Sequence, residues 1–208
     1  SPAPDLSPQL KNDLKSKAGD LGIQLIGIYG KLENPESAKA MFEFASEMGL
    51  EFIVSEPPIS MFDTIEGLTQ QYEVDFALHN HPQPSNYWNP DVGLKALQDR
   101  SQRMGFCCDT GHWCRSDLDP VAMLKKVGAR AKTFHLKDLD EFGNRDAKDV
   151  VWGQGKGQIA ELLAETQRLD LKLPYFSIEW ERNPSEPLQT HAASVAYAEQ
   201  IAAKHAAS

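Results

Sequence analysis

Short apolar runs alternate with longer amphipathic stretches along most of the chain. Six of these runs have the length and side-chain pattern of β-strands, and they span residues 23–30, 51–57, 74–80, 103–109, 131–138 and 175–180. The stretches between them carry apolar residues at helical spacing, as in the segment that contains Ala38, Met41 and Phe42. Strands that alternate with helices in this way predict βαβ units and a parallel sheet.

Helix boundaries are marked by residues with a local physical role. Asn34 and Asp119 each precede a proline, which is the pattern of an N-cap followed by a first helical turn. Gly49 and Gly128 stand where two of these helices would end, since glycine accepts the left-handed conformation of a helix C-terminus. Two further helices are predicted over residues 7–21 and 190–204.

Composition places the chain among ordinary globular domains. With 208 residues, 41% of them hydrophobic, a single domain over residues 1–208 is expected. The formal net charge of −9 opposes binding to the phosphate backbone of a nucleic acid. No apolar run reaches the roughly 20 residues that a membrane span requires, and three cysteines do not form a disulfide framework. We therefore expect neither a nucleic acid nor a membrane partner, and a cytoplasmic location with the periplasm as the alternative.

Ionisable residues interrupt the apolar runs close to their carboxyl ends. Because the carboxyl ends of parallel strands lie on one face of the sheet, side chains from distant parts of the sequence should converge there. Buried carboxylates and imidazoles are costly unless they are paired or bind a metal. Nitrogen and oxygen donors without a cysteine cluster suit one divalent ion, Mn²⁺, Zn²⁺ or Co²⁺, with Fe²⁺ as a further candidate. The five residues are Glu56, His79, Asp109, His135 and Glu179.

Several positions also admit a plain structural role. A histidine within a strand, such as His135, is often a hydrogen-bonded core residue, and Glu56 before two prolines can end a strand as an exposed charge. The glycine-rich segment 152–157 is either a flexible surface loop or a loop that contacts substrate. Trp113 and Trp152 can stack on a sugar face or pack in the interior.

Five short motifs lie at or near the carboxyl ends of the predicted strands, and a sixth lies in the connection between the last two strands. They are V-S-E-P-P at 54–58, L-H-N-H-P at 78–82, C-D-T-G-H-W at 108–113, F-H-L-K-D at 134–138, W-G-Q-G at 152–155 and S-I-E-W-E at 177–181. Together they resemble the sugar phosphate isomerase/epimerase family, whose fold is similar to that of xylose isomerase, and the resemblance covers roughly residues 20–182. It implies an α/β protein with a (β/α)₈ TIM barrel and one divalent ion held by residues from the later strands.

The resemblance also implies individual roles for the motif residues. Asp109, His135 and Glu179 match metal ligands, and His79, which stands where many relatives have a glutamate, is the expected fourth ligand. Substrate contacts are expected from His112, Trp113, Lys137 and Trp152.

The activity that the resemblance implies is proton transfer on a sugar or keto-sugar. The ion polarises the carbonyl while a neighbouring base removes the carbon-bound proton, which gives an isomer or an epimer. Because His79 replaces one of two metal-bound glutamates that serve many relatives as acid and base, other groups are expected to share this work. The expected catalytic residues are Glu56, His81, Lys137 and Glu179. The alternatives are a lyase or hydrolase that acts on 3-keto-glycosides with the same metal site, a metallo-endonuclease-like hydrolase, and a catalytically inactive sugar-binding protein.

Six strands are two fewer than a complete barrel contains. The first two βα units are therefore expected to be missing from this chain, which would leave unpaired strand edges at residues 23–30 and 175–180. Because an unpaired edge favours pairing with another chain, a homo-oligomer is a further expectation.

Overall fold

The structure is a computed structural model that describes residues 3–171, 175–182 and 187–206. Its helices are α1 (Pro8–Asp20), α2 (Pro35–Met48), α3 (Phe62–Tyr72), α4 (Pro90–Leu97), α5 (Thr110–Arg115), α6 (Pro120–Val127), α7 (Ile159–Arg168) and α8 (Pro187–Ala206), with 3₁₀ turns at Ala3–Asp5, Ile59–Met61 and Gly128–Arg130. Its strands are β1 (Gly27–Tyr29), β2 (Phe52–Ser55), β3 (Asp75–His79), β4 (Met104–Asp109), β5 (Ala131–Leu136), β6 (Asp138–Leu139), β7 (Asp149–Val150) and β8 (Tyr175–Ile178).

The helix boundaries have the local causes that the sequence predicts. Asn34 caps α2 in a capping box, because its side chain accepts a hydrogen bond from Ser37 N and the Ser37 hydroxyl accepts one from Asn34 N. The Asp119 side chain caps α6 by accepting from Ala122 N. Gly49 ends α2 with a φ of 74°, a value that glycine adopts without strain. Across the residues that the structure describes, no helix combines the length and apolar character needed to cross a bilayer.

The chain divides into two compact units, of which the first comprises Ser1–His79 and Lys95–Gly105. Within it, β1 pairs in parallel with β2 and β2 pairs in parallel with β3. The apolar face of α2 is buried, including Phe42, as its helical spacing predicts. Phe62 of α3 packs edge-on against Phe76 of β3, with 6.0 Å between the ring centroids.

The second unit comprises Asn80–Leu94 and Phe106–Ser208 and contains parallel pairs of β4 with β5 and of β5 with β8. The register aligns Asp109 with His135, and His135 with Ser177. Because these parallel strands end at the same edge, Asp109, His135 and the residues after β8 meet there. β6 and β7 form a separate antiparallel pair that aligns Asp138 with Val150.

Six strands occur in the predicted regions, with some differences in extent. β1 covers only Gly27–Tyr29 instead of residues 23–30, and Ile23 and Leu25 before it are partly exposed rather than buried. The pair β6–β7 is not among the predicted strands, because two-residue strands leave no readable periodicity. Asp138 of β6 is the last residue of the predicted strand 131–138, and β7 lies between that strand and the one at 175–180. α8 begins at Pro187, earlier than predicted. The expected oligomer contact at the strand edges and the single domain stay predictions.

Candidate metal and substrate site

Asp109 is the last residue of β4 and is fully buried. The Asn80 side chain fixes its backbone, because Asn80 Nδ2 donates to Asp109 O and Asn80 Oδ1 accepts from Asp109 N, both at 2.9 Å. Asp109 is also the N-cap of α5, since its Oδ1 accepts from His112 N at 2.8 Å. The cap thus uses one carboxylate oxygen and leaves Oδ2 to face the strand ends.

Three predicted ligands of the second unit converge at this edge. Asp109, His135 and Glu179 each offer a donor atom, and these atoms lie within 4.8 Å of one another. His135 Nδ1 is 2.8 Å from Glu179 Oε2. The backbone positions Glu179, because its N–H donates to Leu136 O at 3.2 Å directly after β8. One imidazole and two carboxylates so arranged form a donor set that suits a divalent ion.

The ammonium of Lys137 lies between two of these candidate ligands. Its Nζ forms ion pairs with Asp109 Oδ2 and Glu179 Oε2, and the side chain is fully buried. Burial alone lowers the pKa of Lys137, but attraction by Asp109, Glu179 and Glu181 outweighs that effect and raises the pKa above its ordinary value. The lysine therefore stays charged at neutral pH, and this edge of the unit already holds a cation.

Glu179 is ionised in the same cluster. Partial burial raises its pKa, but the hydrogen bond from His135 and the charge of Lys137 together hold the pKa below its ordinary value. Two carboxylates, Asp109 and Glu179, thus share one ammonium. A fully buried carboxylate such as Asp109 beside a partly buried one requires a cation nearby if both are to remain charged.

A second ion-pair network lies beside this cluster and was not predicted. Arg115, at the end of α5, is buried and pairs with Glu181 and with Asp149, whose Oδ1 is 3.4 Å from Arg115 Nη2. Asp149 Oδ2 also accepts from the backbone N–H groups of Glu181 and Arg182 at 3.1 and 2.6 Å. Burial is the main reason that the pKa of Asp149 is raised. This network holds the segment after Glu179 in place.

The backbone amides of the glycine-rich segment 152–157 bind a carboxylate of the same chain. The Asp138 carboxylate accepts hydrogen bonds from Gly153 N, Gly155 N and Gly157 N at 2.8, 2.9 and 2.7 Å. A Cβ at Gly155 would lie 2.4 Å from Leu139 O. The segment is thus not a flexible surface loop, because its amides already bind a carboxylate of the same chain. Its contact with substrate stays a prediction.

Replacement of Asp138 with Asn is expected to destabilise the protein by about 3 kcal/mol, because the amide NH₂ of Asn would face a backbone N–H and leave that donor without an acceptor. Asp138 Oδ2 accepts from two glycine amides and Oδ1 from the third, so in either orientation the Asn NH₂ group would face a backbone N–H. Urea unfolding of the two proteins measures the difference. The control is Asp140→Asn, since exposed Asp140 accepts only from Lys148 N among the described residues. Equal stability of both variants would contradict this role for Asp138.

The remaining predicted site residues are divided between the two units. Glu56, directly after β2, is half-buried, and His79, at the end of β3, is buried with its ring 5.7 Å from Tyr29; both belong to the first unit. In the second unit His81 stacks on His112 with 5.3 Å between ring centroids. His112 Nε2 is 3.4 Å from Asp109 Oδ2.

The two predicted tryptophan contacts lie in the interior. Trp113 is fully buried in α5, and Trp152 is 4% exposed. These rings pack within the second unit, as one of the two sequence interpretations holds. Their contact with substrate stays a prediction.

The sequence matches the family model described as a xylose isomerase-like TIM barrel over residues 3–201. Among solved structures, an uncharacterised protein of Parabacteroides distasonis is 31% identical, with a TM-score of 0.72 over 95% of this chain and 78% of that one. A D-tagatose 3-epimerase-like protein is 18% identical, with a TM-score of 0.77 over 95% and 85%. The IOLI protein, whose structure contains a zinc atom, is 15% identical, with a TM-score of 0.76 over 95% and 84%. The last two show likeness of fold alone. None of the curated proteins matches the chain.

Proposed function

Because this chain belongs to the xylose isomerase-like TIM barrel family, we propose that it is a metal-dependent enzyme that isomerises or epimerises a sugar or keto-sugar. The observation that carries the proposal is the cluster of Asp109, His135 and Glu179, whose donor atoms lie within 4.8 Å of one another. The zinc atom in the IOLI structure and the name of the D-tagatose 3-epimerase-like protein add support from the same fold.

The residues of the cluster fit one divalent cation of the Mn²⁺, Zn²⁺ or Co²⁺ type. Asp109 Oδ2 and Glu179 Oε2 both contact the Lys137 ammonium, so a positive charge already balances them. Asp109, His135 and Glu179 would hold the ion, and His79 is the proposed fourth ligand. When bound, a divalent ion supplies Lewis-acid polarisation of a substrate carbonyl.

The neighbouring side chains suit binding and proton transfer. His112, held by α5 beside Asp109, and Lys137 are the proposed substrate contacts. Glu179 and His81 are proposed to move the proton, and Glu56 is the candidate from the first unit. His81 is half-buried and stacked on His112, which restrains its ring next to the proposed substrate contact.

The same proton abstraction can end in three ways. Return of the proton to the other face of the carbon gives an epimer, return to the neighbouring carbon gives an isomer, and loss of a β-substituent gives elimination. The third outcome would make the protein a lyase that acts on 3-keto-glycosides. Analysis of the products separates these reactions.

Metal content and solvent exchange test the proposal directly. The protein, equilibrated with Mn²⁺, Zn²⁺ or Co²⁺ and then desalted, is expected to retain about one ion per chain by mass spectrometry. With keto-sugars or 3-keto-glucosides in deuterated water, the loaded protein is expected to introduce deuterium at carbon, whichever product follows. The absence of both a retained ion and deuterium incorporation would refute the proposal.

A further inference from the structure

A polar pocket of about 420 Å³ lies within the second unit, next to the candidate metal ligands. Its volume falls within the range of about 300–1,000 Å³ that is typical of small-molecule sites. The side chains that give it its character are His81, His112, Arg115, Arg145, Glu181 and Arg182. Three guanidinium groups therefore face the same space as a single carboxylate, in a protein whose net charge is −9.

The charge of Arg115 is balanced by neighbouring carboxylates. Arg115 is buried and pairs with Glu181 and Asp149, and its Nη2 also donates to Ala147 O at 3.2 Å. Its guanidinium is fixed by these contacts, so it forms a rigid wall of the pocket. The Glu181 carboxylate is engaged by the same arginine, which reduces its repulsion of an incoming anion.

The charges of the other two arginines, Arg145 and Arg182, are less balanced by neighbouring carboxylates. Arg182 pairs with Asp146 at 3.1 Å, but the Asp146 side chain is 86% exposed, so solvent screens that pair. Arg145 is exposed and forms no ion pair with any of the residues that the structure describes. Guanidinium groups bind carboxylate and phosphate oxygens in a bidentate manner, with stronger hydrogen bonds than neutral donors make.

The pocket also adjoins the cluster that would carry the chemistry. His112 lines the pocket while its Nε2 lies 3.4 Å from Asp109 Oδ2. Glu181 lines it too, and its Oε2 lies 4.0 Å from Lys137 Nζ. A small molecule held in the pocket would therefore have one end at the arginines and the other near Asp109.

We propose that this pocket binds an oxyanion, the carboxylate or phosphate of an acidic sugar, through Arg145 and Arg182. The proposal rests on the proposed function, since it takes the remainder of the sugar to reach the candidate metal ligands. It adds a substrate class, because a neutral sugar leaves Arg145 without an ion pair among the described residues and leaves Arg182 with only its solvent-screened pair to Asp146. The pocket selects acidic sugars by charge and by the fork geometry of the arginines.

The test measures binding of simple probes to protein freed of metal by chelation. Inorganic phosphate represents the phosphate source, D-gluconate represents the carboxylate source, and neutral D-glucitol is the comparison ligand. Calorimetric titrations at constant ionic strength keep nonspecific screening equal across the probes. Phosphate, gluconate or both are expected to bind, and which one binds identifies the source of the oxyanion.

The variants decide whether the binding occurs at this pocket. Arg145→Gln is expected to weaken binding of the anionic probe by about tenfold, whereas Arg145→Lys keeps the charge and should lose less. Lys125→Gln, which removes the same charge from an exposed position of α6, is expected to change the affinity less than about twofold. Binding of glucitol as tight as that of the anions, absence of anion binding, or equal losses in Arg145→Gln and Lys125→Gln would overturn the proposal.

The anion-binding test does not depend on whether the protein binds a metal ion. Anion binding by a protein that neither retains a divalent ion nor incorporates deuterium would refute the proposed function and leave the oxyanion pocket intact. Retention of the ion without anion binding would refute the pocket and leave the proposed function intact.

Discussion

Replacement of Glu179 with Gln is expected to abolish stoichiometric metal retention and turnover. The substitution removes one of two charged ligands from the cluster that Asp109, His135 and Glu179 form. Loss of an outer partner of a metal ligand already lowers affinity by about 10–100-fold, so loss of a charged ligand should exceed that range. Titration with Zn²⁺ in competition with a chelator measures the affinity, and solvent deuterium incorporation measures the activity.

The comparison with Glu161→Gln isolates the site from a general change in charge. Both variants lose one carboxylate, but Glu161 lies on the exposed face of α7. We expect Glu161→Gln to retain the wild-type affinity. If Glu179→Gln keeps a stoichiometric ion and full activity, Glu179 is not a ligand.

Replacement of Lys137 with Met is expected to destabilise the metal-free protein by about 3–5 kcal/mol, because it leaves buried charges without their counter-ion. In the wild type, the Lys137 ammonium balances Asp109 and Glu179. A bound divalent ion can take over that balance, so adding Zn²⁺ or Mn²⁺ should restore much of the lost stability. Urea unfolding with and without the ion measures both effects.

The control for Lys137 is a lysine in a surface ion pair. Lys126 pairs with Asp91 at 3.0 Å on exposed positions, so Lys126→Met should cost no more than about 1 kcal/mol, with or without metal. A Lys137→Met protein that is as stable as wild type without metal would show that the ammonium does not balance the carboxylates. Destabilisation that no ion relieves would instead count against metal binding by these two residues.

Much of the fold could be predicted because its signals are local. The apolar runs and the capping residues Asn34 and Asp119 act within a few positions of the chain, so the pattern alone places β2 to β5 and the start of α2 and α6 closely. The predicted strand 23–30 is longer than β1, because Ile23 and Leu25 are apolar without being buried in the sheet. Alternation indicates which residues can form a strand, whereas strand pairing decides which of them do.

The site was predictable in part for the same reason. Asp109 and His135 stand at strand ends, and parallel pairing brings such ends together whatever the sequence separation. The contacts of Lys137 with both carboxylates depend on the direction and length of a side chain, which strand periodicity does not specify. Asp149 could not be predicted from the sequence, since it lies in a two-residue strand and its partner Arg115, at the end of α5, is 34 positions away.

The glycine segment shows how one feature can mislead. Glycines with free amides and glycines around an internal carboxylate look alike in sequence, because both need close backbone approach. Only the position of Asp138, next to the amides of Gly153, Gly155 and Gly157, distinguishes the two arrangements.

The anchoring of Asp138 also constrains how an ion would enter. Asp138 directly follows Lys137. The three hydrogen bonds that its carboxylate accepts from backbone N–H groups tie this part of the main chain to the glycine segment. Gly111 packs against the aliphatic stem of Lys137, where a Cβ would come within 2.5 Å of Lys137 Cβ. We therefore expect the ammonium to vacate its place by torsion about its outer side-chain bonds, so that exchange of one cation for another leaves the polypeptide scaffold undisturbed.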